Sequence, residues 1–156
     1  MARKRSEHYV NNKEFLYAIV AYKQDIKDAE AAGQPKPVIP RYIGECFLKI
    51  ATHLSYKPNF VNYMFKDDMV CDGIENCVQY INNFNPEKST NPFAYFTQII
   101  HYAFLRRIQK EKKQLEIRQK IIERSGFDEV MTADQNEKSS EYNQIKDAIQ
   151  YRNNNR

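Results

Sequence analysis

The stretch Asn91-Pro92-Phe93-Ala94-Tyr95-Phe96-Thr97-Gln98-Ile99-Ile100-His101-Tyr102-Ala103-Phe104-Leu105-Arg106-Arg107-Ile108 decides how the chain folds. Asn91 is a helix N-cap residue, and Pro92 suits the first turn because a first-turn N–H has no intrahelical partner to lose. Phe93, Phe96, Ile100, Ala103 and Phe104 then recur at three- and four-residue intervals, the period of a helix burying one side. On the other side, Tyr95, Gln98, Tyr102, Arg106 and Gln109 fall within a quarter turn of one another at 100° per residue. Beyond Ile108 the pattern turns basic: residues 105–124 hold eight Lys/Arg against three Glu. The spacing therefore predicts one long helix, apolar on one face and cationic in its second half.

Moving back along the chain, residues 85–91 read as a loop, and residues 66–84 as a helix burying Val70, Ile74, Cys77, Ile81 and Phe84. The opposite side of that helix carries Asp68, Asp72, Glu75, Gln79 and Asn82, and residues 66–87 hold five acids against one base. Residues 55–62 break the period. A helix starting near Pro40 carries the apolar stripe Tyr42, Ile43, Cys46, Phe47, Ile50, Ala51 and Leu54. A first helix over residues 13–31, capped by Asn11 or Asn12, presents Phe15, Ile19 and Tyr22 and stops at Gly33-Gln34-Pro35-Lys36-Pro37. No hairpin dipeptide interrupts these periods, so the fold class predicted is all-α. The segments are an N-terminal helix and Pro-rich linker (1–37), a compact helical domain (38–126) and a polar tail (127–156). The tail is read as a short helix over residues 142–151 or as a segment that stays disordered until a partner orders it.

Several function classes drop out. The four glycines, at 33, 44, 73 and 126, are too scattered for a dinucleotide turn or a phosphate loop, which need clustered backbone N–H groups. The longest apolar run, residues 15–22, falls far short of the roughly 20 residues of a membrane span. The basic start (Arg3, Lys4, Arg5) is followed by polar residues, so no signal peptide is expected. Cys46, Cys71 and Cys77 do not have zinc-ligand spacing and read as reduced cytosolic thiols; His8, His53 and His101 stand alone. No nucleophile–base pair is recognisable. The expectation is a protein that is not an enzyme and uses no cofactor or metal.

Two surfaces remain to be explained. Tyr95, Gln98, Tyr102 and Arg106 offer rings, an amide and a guanidinium able to stack bases, read their edges and hold phosphate, with Lys110, Lys112, Lys113 and Arg118 continuing as a track for a polynucleotide backbone. The same face also reads as ordinary solvated surface. The acidic stripe reads either as a dock for a basic partner or as an intramolecular complement to the basic helix.

Residue order adds a resemblance. From Asp68 onward the chain resembles the second conserved region of the sigma-70 family of bacterial transcription initiation factors. That family reads Asp-Leu-Ile-Gln-Glu-Gly, aliphatic positions, a closing Phe, an aromatic loop, Ser-Thr-Tyr-Ala-Thr-Trp-Trp and Arg-Gln-Ala. The matching residues, without gaps, are Asp68-Met69-Val70, Asp72-Gly73, Cys77, Ile81, Phe84, Tyr95, Thr97, Ile100, Ala103 and Arg106. The wider pattern is similar to the small late-gene sigma factors of tailed phages: Tyr9 to Glu14 (Tyr-Val-Asn-Asn-Lys-Glu), Asp72 to Glu75 (Asp-Gly-Ile-Glu), Asn91 to Gln98 and Arg107 to Glu111 occur in the same order.

The resemblance implies an all-α sigma region 2-like domain acting in the host bacterial cytoplasm. It implies docking on the clamp helices of the largest subunit of core RNA polymerase through Asp68, Cys71, Asp72 and Glu75, Cys71 standing where the family has Gln. It implies recognition and opening of a −10-like promoter element through Tyr95, Gln98, Ile99, Tyr102, Arg106, Lys110, Lys112 and Lys113. Gln98 and Ile99 stand where the family's Trp pair wedges the duplex, which implies weaker melting or help from a phage coactivator. The chain is too short for the family's −35-reading helix-turn-helix. In the phage group a hydrophobic–acidic C-terminal peptide binds the sliding clamp; the ending Gln150-Tyr151-Arg152-Asn153 departs from it. The competing readings are a polymerase-binding regulator that does not read DNA, and a stand-alone helical nucleic-acid binder.

Overall fold

The computed structural model describes residues 8–125. Among them are α1 (Asn12–Ala31), α2 (Arg41–Ser55), α3 (Lys66–Tyr80), a 3₁₀ turn (Ile81–Asn83) and α4 (Pro92–Arg124), with no strand. The fold is all-α, as the periods predict. The expected tail helix over residues 142–151 lies outside the described residues.

The helix ends follow local chemistry. Asn11 caps α1, its side-chain oxygen accepting from the N–H groups of Lys13 and Glu14. Gly33, at φ +65°, ends α1 in the left-handed region that side chains with a Cβ rarely adopt. Pro40 is the N-cap of α2, one position outside the first turn. Two asparagines cap α4: Asn91 accepts from Ala94 N–H at 3.1 Å, and Asn12, reaching across from α1, accepts from Phe93 N–H at 3.1 Å. From its neighbours in the chain, Asn12 is only a candidate cap for α1. Its actual work is to tie the start of α4 to α1.

The chain divides into two units, residues 1–111 and 112–156. The first holds one core. Phe15 and Ile19 of α1, Ile43, Phe47 and Ile50 of α2, and Phe96, Ile100 and Phe104 of α4 are all buried. Phe47 and Phe96 meet at 4.8 Å between ring centroids, with Phe15 5.6 Å from Phe96. Such tilted pairs avoid the face-to-face stacking that the ring quadrupoles disfavour. The N-terminal helix, assigned by sequence to its own segment 1–37, thus contributes to the same core as α2 and α4.

α3 departs from its predicted face. Met69, Gly73 and Cys77 are fully buried, whereas Val70 and Ile74 pack at the core's edge. The cause is Gly73: a Cβ there would stand 3.0 Å from Ile100 Cγ2 and 3.2 Å from Phe104 Cε1. The missing side chain lets α4 lie against this line of α3, turning the helix toward Met69 and carrying Asp72 into the same seam. The predicted last turn of α3 tightens into the 3₁₀ turn, where Ile81 and Phe84 are buried as expected. Lys23 of α1 secures that end by donating to the carbonyls of Asn82 and Phe84.

In the second unit, the described residues continue α4 to Arg124. Leu115, Ile117, Ile121 and Ile122 are about half exposed there, and Ser125 closes the helix by donating to the carbonyls of Ile121 and Ile122.

Candidate functional site

The acidic stripe of α3 separates into two kinds of carboxylate. Asp68 and Glu75 are exposed, as is the Cys71 thiol, and among the described residues neither acid has an ion-pair partner. Asp72 is held. Arg107 of α4 grips it with two parallel hydrogen bonds, Nε to Oδ2 at 2.6 Å and Nη2 to Oδ1 at 2.8 Å, and reaches Glu111 at 3.3 Å with Nη1. This planar fork matched to a carboxylate is the strong form of an ion pair. The side chains are only 18% and 27% exposed, so water screens the pair less than a surface one. The Asp72 hydrogen bonds push the Arg107 pKa up, keeping it cationic throughout the pH range of folded proteins.

The α4 face also divides. Gln98, Arg106 and Gln109 are exposed, and the Tyr102 ring is 51% exposed. Tyr95 is turned inward instead, its ring edge-on to Phe84 at 5.2 Å and to Phe96 at 5.0 Å. Burial, with a smaller contribution from the Cys77 sulfur, holds its phenol above the ordinary tyrosine range. Ile99 is half-buried against the core rather than free on the surface. Lys110 is exposed in the first unit; Lys112 and Lys113 are exposed in the second.

Gln98 and Tyr102 border an open cavity of about 650 Å³ between the end of α2 and the first turns of α4. Its walls add an ammonium from Lys57, an imidazole from His101 and an amide from Asn91, over an apolar floor that includes Leu54 and Phe93. Lys57 and His101 were missed by sequence reasoning. Lys57 sits in the segment that breaks the helical period, where periodicity assigns no face. Arg107 was also missed as a partner, although a signal existed: it lies eleven residues after Phe96, on the core side of the helix, where an arginine needs a carboxylate opposite.

Chemically this is equipment for binding. Amides and an imidazole can donate and accept, a phenol ring can stack, and a lysine can hold an anion. Burial pushes the Cys46 and Cys77 thiols up, away from the thiolate. Among the described residues no group of three His, Cys, Asp or Glu side chains could hold a metal ion, and no helix is long and apolar enough to cross a membrane. No protein-family model matches the chain, and neither does any curated protein.

Proposed function

We propose that this protein is a minimal sigma factor of the phage late-gene type, which binds host core RNA polymerase and directs opening of a −10-like promoter element. What carries the reading is the ordered, ungapped match from Asp68 to Arg106. The two faces that the reading requires fall on neighbouring helices: an acidic edge with Asp68 and Glu75 free, and a polar, aromatic edge with Gln98, Tyr102 and Arg106 free. The acidic edge docks on the basic clamp helices of the polymerase. The α4 edge takes DNA, with Tyr102 in place of Tyr95 as the stacking ring, and Lys110, Lys112 and Lys113 supply phosphate contacts. The protein contributes specificity and strand opening in the host cytoplasm, without covalent chemistry, metal or nucleotide cofactor.

A second reading, a regulator that occupies the sigma site without reading DNA, draws support from Gln98 and Ile99 at the Trp-pair positions and from the inward turn of Tyr95. In vitro transcription by host core polymerase on supercoiled viral DNA, with and without the protein, separates the two. Discrete new starts, each preceded by one short A/T-rich element, are the expected result; core binding with no new starts makes the protein a regulator.

A further inference from the structure

A second open cavity, of about 590 Å³, lies at the starts of α1 and α4, lined among others by His8, Asn12 and Lys13. It shares Asn91 and Phe93 with the cavity that holds Lys57, His101 and Tyr102. Two features distinguish this pair. Neither lining contains a carboxylate, although the chain carries 20 acids, and each contains one exposed lysine and one imidazole. A third cavity, at the end of α3, differs: it has no imidazole, Glu87 lines it beside Lys27, and its Lys23 donates to backbone carbonyls.

The shared wall is braced from behind. Tyr9 stacks on His53 at 3.8 Å and 7° between planes, and on His8 at 4.7 Å. His8 and Tyr9 both meet the Phe93 ring edge-on, at 4.6 and 5.7 Å. Residues 8–10 are therefore packed onto the end of α2, beside the Asn91 and Phe93 wall that the two cavities share.

We propose that these two cavities form one groove for a single-stranded polynucleotide, with Lys13 and Lys57 neutralising phosphates on either side of Asn91 and Phe93, and Tyr102 stacking a base. A single strand fits the observations because it brings what the walls lack and want: negative charge at intervals along a backbone, and unpaired bases with faces to stack and edges to hydrogen-bond. The groove deepens the DNA-binding half of the sigma reading, with which it shares Tyr102, and adds Lys13, Lys57, His8 and His101, which have no part there; it stands whether or not the protein binds polymerase.

The test is fluorescence anisotropy of a labelled oligothymidylate with the full-length chain. Lys13→Glu with Lys57→Glu is expected to lower affinity at least about tenfold and, for two contacts, to flatten the log K against log [salt] slope by about 1.4. The control pair Lys27→Glu with Lys36→Glu changes net charge equally at the far end of α1, away from the groove, and should have a much smaller effect. Tyr102→Ala is expected to cost about 5- to 150-fold, with Tyr102→Phe retaining most of the affinity. Lys13→Gln with Lys57→Gln, checked by circular dichroism, replaces the reversal if that variant does not fold. Equal losses from groove and control pairs, or no loss from the groove pair, overturn the proposal. So does binding abolished by changing Lys110, Lys112 and Lys113 alone. A chain that binds the oligonucleotide through the groove but gives no transcription sinks the sigma reading and leaves the groove standing.

Discussion

The acidic stripe of α3 and the aromatic stripe of α4 look alike in sequence, each a polar row opposite a hydrophobic face, yet the fold draws on them differently. From α3 it takes Asp72, by charge: a two-point grip from Arg107. From α4 it takes Tyr95, by area: a ring seated on Phe84 and Phe96. An ion pair depends on its partner being present, so one reversed charge turns attraction into repulsion. A packed ring depends on shape and tolerates loss of its hydroxyl. What remains exposed on each stripe, Asp68 and Glu75 on one and Gln98, Tyr102 and Arg106 on the other, is what can be used for binding.

The largest effect should come from breaking the charge contact. Asp72→Arg places two guanidinium groups face to face in a seam that is mostly dry, and should cost about 2–3 kcal/mol in urea unfolding, near the lower end for a buried pair because some water reaches it. Adding Arg107→Asp to that variant should recover at least about 1 kcal/mol, the coupling expected of residues in direct contact. A single variant as stable as the parent would mean that the grip contributes nothing.

Next comes the packed ring. Tyr95→Ala should cost about 2 kcal/mol, below the range for a fully buried aromatic because part of the ring is exposed. Tyr95→Phe should stay within about 0.5 kcal/mol of the parent. If both variants are equally destabilised, the hydroxyl rather than the ring area holds Tyr95, and the contrast between the stripes fails.

The smallest stability changes should come from the exposed members. Tyr102→Ala should stay within about 0.5 kcal/mol in unfolding, and Asp68→Lys with Glu75→Lys within about 1 kcal/mol, the larger figure because Asp68 lies in the first turn of α3 and feels the Arg107 charge. The acidic pair should nonetheless weaken capture of core polymerase, because like charges facing each other at an interface cost several kcal/mol. This pair tests docking cleanly, since losses at Asp72 mix binding with stability. Unchanged capture by a folded Asp68→Lys, Glu75→Lys chain would remove the acidic edge from the interface.

Much of the architecture was legible before any coordinates. The first helix, predicted over residues 13–31 and found over Asn12–Ala31, its cap at one of the two candidate asparagines, its stop at Gly33, the α2 stripe and the Asn91-Pro92 start of α4 all rest on interactions within one turn of the chain, so neighbouring residues suffice to read them. Three features were not legible in the same way. Gly73 reads in sequence as one half of an Asp-Gly motif; its meaning is the Ile100 and Phe104 side chains that occupy the room a Cβ would need. Lys57 lies where periodicity is silent. The Asn12 side chain serves a helix 81 residues away.

By itself, then, the sequence determined the helices, their caps and the apolar faces of α1, α2 and α4, because propensity, capping and hydrophobic period act over three or four residues. Which polar residues stay free was decided by tertiary structure alone. Asp72 and Asp68 are one helical turn apart and chemically the same, and only the close approach of α3 and α4 at Gly73 puts a guanidinium beside one and water beside the other.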